Sequence, residues 1–381
     1  MKNNKLAIYG GKKIILKKFK RYNSIGKEEI IAANKVLKTG ILSDFIAGNN
    51  SKFLGGSKVK EFEKYCAKYF KVKYAVTVNS WTSGLVCAVG AIDIEPGDEV
   101  IVTPWTMPAT ATAIIHWNAI PVFADIDKDT FNISPKSIIK NISKKTKAII
   151  AVDIFGQSAE IDKIMKIAKK YNLKVISDSA QAIGTLNKGR FSGTIADVGG
   201  FSLNYHKHIN TGEGGILVTN NKKINDFCRE FRDHGHQNNS NYPRGQDTRI
   251  NWGLNLRMSE LQAAVGIAQL KKLKIIVKKN CENKSLLKKL IKNPLISFRE
   301  IVDKKGDLSD TLIFYFKNKK LAKKFVINYN KRGYSTKNLP DAINWHFAGT
   351  WKHIFSKVGR YKKNWRVKWK KSEDLLRRSI S

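Results

Sequence analysis

Short apolar runs separated by polar, helix-patterned stretches occupy the first two thirds of the chain. "KYAVTV" (73–78), "EVIVTP" (99–104), "AIPVFADI" (119–126), "TKAIIAVDIF" (146–155), "LKVISD" (173–178), "VGGFSL" (198–203) and "GGILVTN" (214–220) each read as a buried strand, because they are short and apolar and most are bounded by polar or glycine positions. Between several of them the period changes. In "SAEIDKIMKIAKKYN" (158–172) the apolar residues Ile161, Ile164, Met165 and Ile167 share one helical face. Strands alternating with helices predict an α/β fold built on a mainly parallel, seven-stranded sheet, and such sheets bind ligands at the carboxyl ends of their strands.

After residue 250 the texture changes. "MSELQAAVGIAQLKKLKIIVKKNCENKSLLKKLI" (258–291) predicts a long helical region with Ser259 as its cap, and the domain hinge is placed inside it. A smaller α+β segment follows around "DTLIFYF" (310–316) and the helical "NKKLAKKFVINYNKRG" (318–333). The expected division is a large domain over residues 1–260 and a smaller C-terminal α+β domain over 261–381. "DLLRRSIS" carries Leu375, Leu376 and Ile380 toward what reads as a strand, so the small domain is expected to be cut short.

Composition narrows the function. The 381 residues, 42% hydrophobic, suffice for one large domain with a smaller one attached. No apolar run approaches the roughly 18 residues of a membrane span, and the first residues lack the apolar core of a signal peptide, which reads as a cytoplasmic protein with no membrane partner. The net charge of +39 points first to nucleic acid. Lysine is nevertheless spread over the whole length among Asn and Ile, not gathered into an arginine-rich stripe, so no specific nucleic-acid binding is expected and a general attraction for anionic substrates is. Cys66, Cys87, Cys228 and Cys281 lie far apart without a CxxC pair, which argues against a zinc site and a disulfide framework. The pairs His206 with His208 and His234 with His236 have no clustered Cys, Asp or Glu, so no metal is expected either.

Three strand ends carry candidate chemistry. "AVTVNSWTSGLVCAVGAI" (75–92) reads as strand, polar turn and helix, with Thr82 and Ser83 where free backbone N–H groups and the helix dipole favour a phosphate; an ordinary helix cap would look the same. "VISDSAQAIG" (175–184) delivers Asp178 from a strand end, either as a cap or as a carboxylate that holds a heteroaromatic nitrogen protonated. "FSLNYHKHINTGEGG" (201–215) places Lys207 five residues after Ser202 and before a tight Gly-Glu-Gly-Gly turn, where an amine can act as a nucleophile toward an aldehyde. A phosphate seat, a carboxylate for a ring nitrogen and a pocketed lysine are together what pyridoxal 5'-phosphate requires.

These segments resemble those of the DegT/StrS-type pyridoxal-phosphate-dependent sugar aminotransferases. The family's N-S-G-T-A-A-L-like turn is matched by "NSWTSGL" (79–85), its E-D-A-A-Q-A-like stretch by "SDSAQA" (177–182), its F-S-F-x-x-x-K-x-x-x-x-G-E-G-G by "FSLNYHKHINTGEGG", and its G-Y-N-Y-R-M-S by "GLNLRMS" (253–259). The resemblance implies a fold-type I transferase and a homodimer. It implies phosphate contacts from Thr82, Ser83 and Ser202, a pyridinium contact from Asp178 and a ring-hydroxyl contact from Gln181. Lys207 would condense with the cofactor's aldehyde and shuttle the proton, and Asn255 would reach the phosphate of the neighbouring subunit. Where the family shows an aromatic stacked on the ring, "PWTMPAT" (104–110) is one residue shorter and puts Met107 in that slot, with Trp105 as the alternative. The implied reaction moves an amino group from glutamate or glutamine to a keto or aldehyde sugar, nucleotide-linked or acidic. Sugar dehydratases of the same family carry histidine at the lysine position, which Lys207 argues against. The segment "NLPDAINWHFAGTWKHIF" (338–355) reads first as core packing; it also resembles family members that aminate an acidic octulosonate sugar and suggests a loop facing the substrate.

Overall fold

The computed structural model describes residues 22–45, 51–237, 249–332, 346–357 and 370–380, with isolated positions between 239 and 246. Two helices lead in, α1 (Lys27–Leu37) and α2 (Ser57–Phe70). Strands and helices then alternate: β1 (Tyr74–Val78), α3 (Trp81–Gly90), β2 (Glu99–Val102), α4 (Pro108–His116), β3 (Ile120–Phe123), α5 (Pro135–Asn141), β4 (Thr146–Val152), α6 (Ile161–Tyr171) and β5 (Lys174–Asp178). A small hairpin of β6 (Leu186–Asn187) and β7 (Arg190–Phe191) precedes β8 (Val198–Ser202), β9 (Gly215–Thr219) and α7 (Lys222–Phe231).

All seven expected strands join one sheet in the order β1-β9-β8-β5-β4-β2-β3. Six run parallel and β9 alone runs against its neighbours β1 and β8. The strands β4, β5, β8 and β9 are nearly all buried, as a sheet covered by helices on both faces demands. Beneath the edge strand β1, burial alone would push the Glu63 carboxyl up, but the charges of Arg229 and Arg232 overcome this and hold it down at about 2. Glu63 accepts from Arg229 over 2.8 Å and from the backbone N–H of Thr77 over 3.0 Å, tying α2 and α7 to that strand.

The long helix α8 (Glu260–Leu290) starts where the sequence places its cap. The Ser259 hydroxyl accepts from the Gln262 backbone N–H, while the Gln262 side chain accepts from Ser259 N. Ala263, Ile267, Leu270 and Leu273 are buried with Phe62, Phe70 and Met258 in a core shared with α2 and β9. A three-stranded sheet of β10 (Ile296–Phe298), β11 (Phe314–Phe316) and β12 (Ser379–Ile380) carries the helix α9 (Lys319–Lys331) on one side. The C-terminal apolar pattern serves two cores. Leu375 and Leu376 lie in the main core with Phe347 and Trp351, whereas Ile380 pairs with Phe314 and packs on α9. Residues 338–345 of the segment singled out above lie outside the described residues. Among the described residues no helix is long and apolar enough to cross a membrane.

Candidate active site

The C-terminal ends of β1, β5 and β8 meet at one edge of the sheet. Val78 and Ser202 both stand opposite Gly215, on either side of β9, and Asp178 pairs with Gly200 one strand further on. The turn after β1 brings the N-terminus of α3 to this edge. Ser80, not Thr82 or Ser83, is its cap, and its hydroxyl accepts from Ser83 N over 3.1 Å. Thr82 is exposed in the first turn, and the Ser83 hydroxyl donates to Asn79 Oδ1 over 2.6 Å. Gly215 explains how close the helix comes: a Cβ there would lie 2.7 Å from the backbone of Ser80 and Trp81.

Asp178 is buried at the end of β5 and meets donors only. The indole N–H of Trp81 donates to Oδ1 over 2.7 Å, the Thr110 hydroxyl donates to Oδ2 over 2.7 Å, and the Ala180 backbone N–H approaches Oδ1 at 3.2 Å. Thr106, just before α4, and Thr110 in its first turn share a hydroxyl contact of 2.7 Å that extends this network. Trp81 and Thr110 both sit inside the quoted motifs, but no local pattern marks either as a donor to Asp178.

Lys207 lies half-buried in a loop that closes on itself. Leu203 N donates to Gly214 O and Thr211 N to Leu203 O, each over 2.9 Å. The boxed glutamate of the Gly-Glu-Gly-Gly turn acts here. Glu213 accepts from the Asn204 amide over 2.6 Å, and Asn204 in turn accepts through its carbonyl from Lys207 N over 2.9 Å. The neighbouring His208 is drawn to Asp310 of the segment before β11, with 3.5 Å between Nε2 and Oδ2. Burial, and after it the charge of Lys207, lower the His208 pKa against the pull of Asp310.

The other expected residues have these surroundings. Gln181 turns to the loop after β4, where its Oε1 accepts from Phe155 N over 3.0 Å and its amide nitrogen stands 3.3 Å from His346 Nε2. His346 flanks a β-bridge between Trp105 and Phe347 in which Thr106 N donates to His346 O and Ala348 N to Pro104 O, both over 2.8 Å. Trp105 at the centre of the bridge is 1% exposed and packs on Phe131 and Phe155, while Met107 at the start of α4 is 39% exposed. Asn255 is exposed beside Asp233, in a segment tied to the end of β1 by Asn79 N donating to Leu256 O over 2.8 Å. Among the described residues no group of three or more His, Cys, Asp or Glu could hold a metal ion.

An exposed helix N-terminus with hydroxyls, a buried carboxylate ringed by donors and a half-buried lysine on a braced loop fit a phosphorylated aldehyde with a basic ring nitrogen. The comparisons agree with that chemistry. The model of the DegT/DnrJ/EryC1/StrS aminotransferase family matches residues 39–338, and the chain belongs to that family. It is 40% identical over 258 residues to the spore coat polysaccharide biosynthesis protein SpsC of Bacillus subtilis, a stretch covering 65% of this chain and 62% of SpsC. It is 36% identical over 252 residues to the GDP-perosamine synthase of Escherichia coli O157:H7, covering 65% of this chain and 67% of that protein. The aligned part thus spans about two thirds of the length of these relatives or less. Among solved structures, the PseC aminotransferase of Helicobacter pylori, described as involved in pseudoaminic acid biosynthesis, superposes with a TM-score of 0.79 at 26% identity, over 94% of this chain and 91% of that one.

Proposed function

We propose that this protein is a pyridoxal-phosphate-dependent aminotransferase that moves an amino group from glutamate or glutamine to a keto or aldehyde function of a nucleotide-linked or acidic sugar, in polysaccharide or lipopolysaccharide biosynthesis. The observation that carries the reading is the meeting of the α3 N-terminus, Asp178 and the Lys207 loop at one edge of the sheet. The cofactor, when bound, supplies an aldehyde to carry the amino group and a protonated ring to take up electron density.

Each protein group has a distinct task. Thr82, Ser83 and Ser202 hold the phosphate with the dipole of α3. Asp178 keeps the ring nitrogen protonated, because a buried carboxylate oriented by donors stabilises the cation beside it. Lys207 would take the proton from the donor carbon and give it back from the same face, as general base and then general acid. Met107 covers a ring face through its thioether, and Gln181 reaches the ring hydroxyl with its amide. The exposed Asn255 serves the phosphate of a second copy, which makes the working unit a homodimer.

The test is to load the protein with pyridoxal phosphate, add glutamate or glutamine, and follow the visible band. Loss of the band with either donor, and its return on adding a keto sugar with the aminated sugar as product, supports the proposal. A product that has lost water and gained no nitrogen would make the protein a dehydratase instead.

A further inference from the structure

We propose that Trp81 is a positioning residue that fixes the carboxylate of Asp178 relative to the phosphate seat. The inference rests on the reading of Asp178 as the partner of the ring nitrogen. Trp81 is the first residue of α3, and it immediately precedes Thr82 and Ser83 in that helix's first turn. Its indole is 3% exposed and lies across two glycines. A Cβ on Gly200 would come within 2.1 Å of the ring, and one on Gly84 within 2.5 Å. Gly200 is the ladder partner of Asp178 between β5 and β8. The missing side chain at that position therefore makes room for the benzo edge of the indole, whose N–H reaches Oδ1 at 2.7 Å.

The consequence is geometric. One turn of α3 presents hydroxyls and free N–H groups to a phosphate on its exposed side and holds Asp178 on its buried side. Trp81 on Oδ1 and Thr110 on Oδ2 come from two different helices, so the carboxylate can neither rotate nor withdraw without breaking a bond to a charged acceptor. An ionised carboxylate has about four acceptor sites, and the three donors leave room for a ring N–H. The spacing between the phosphate seat and the carboxylate is thereby set by a single rigid side chain.

Trp81→Phe keeps an aromatic ring and removes the donor. Pyridoxal phosphate is titrated into the cofactor-free variant, with inorganic phosphate as a competitor, and the pH midpoint of the visible band is recorded beside those of the wild type and Asp178→Asn. Expected are an affinity for pyridoxal phosphate weaker by roughly five- to tenfold, an unchanged affinity for inorganic phosphate, and a midpoint displaced in the same direction as in Asp178→Asn but less far. An equal loss for both ligands would make Trp81 a packing residue of α3 and overturn the proposal. A wild-type midpoint and affinity in Trp81→Phe beside an altered Asp178→Asn would overturn it while leaving the reading of Asp178 intact. A wild-type midpoint in Asp178→Asn would remove that reading and this proposal with it. If Trp81→Phe does not fold, benzothienylalanine at position 81 matches the indole in shape without the N–H and is held to the same criteria.

Discussion

Asp153 and Asp178 end neighbouring parallel strands, and the backbone N–H of Asp153 donates to the carbonyl of Asp178 over 3.0 Å. The two carboxylates live differently. Asp153 is fully enclosed, and burial pushes its pKa up to about 6 although Ser179 and the Ala159 N–H donate to it; the charge of Asp178 pushes the same way. The protonated form is then favoured in the fold, so stability contributed at low pH is lost as pH rises from the ordinary aspartate range through about 6. Asp153→Asn is expected to remove that loss, about 3 kcal/mol in all, so that the variant gains on the wild type as pH climbs from 4 to 7. Urea unfolding across that range checks it, and a constant difference between the two proteins would count against the assignment.

Gly215→Ala is expected to destabilise the fold by about 1–3 kcal/mol and to weaken cofactor binding, because the new methyl meets backbone atoms of Ser80 and Trp81 that have no rotamer to change. Gly212→Ala provides the contrast. Gly212 has φ +81 and open space around it, so only backbone strain of about 1–2 kcal/mol applies and binding is retained. Thermal melts and cofactor titrations on both variants separate the two effects.

Lys207→Ala should fold, since bonds of Leu203, Asn204, Thr211 and Glu213 hold the loop closed. Cofactor added to it should give no protein-bound visible band and no turnover. A wild-type absorbance spectrum in this variant would end the assignment of Lys207.

Asn255→Ala should weaken cofactor affinity by about 1 kcal/mol, the scale of one hydrogen bond to a charged group or slightly less. The measurement is paired with sedimentation, because an exposed asparagine can serve a second copy only in an assembly. A fully active monomer with unchanged affinity for the cofactor in the variant would rule out the shared site.

The strand pattern was legible because buried parallel strands must be apolar throughout, and all seven runs read from the chain lie in the sheet. The cap at Ser259 was legible for an equally local reason, since a helix start is written in neighbouring residues. Site residues at strand ends were found as far as their motifs are contiguous. Trp81 passed unnoticed because its hydrogen bond to Asp178 crosses 97 positions and depends on the absence of a side chain at Gly200. Thr110, Asp153 and the His208–Asp310 pair escaped for the same reason.

By itself the sequence determined the order of elements, the mainly parallel sheet and the three segments that carry hydroxyls, carboxylate and lysine, all of which follow from local periodicity and turn chemistry. Only the tertiary structure decided that Trp105 is core while Met107 faces out, that Gln181 contacts His346, and that Phe347, Trp351, Leu375 and Leu376 join the core of the main sheet. Those outcomes depend on which surfaces meet across long stretches of chain, and packing selects among them by volume and hydrogen-bond satisfaction that no local pattern encodes.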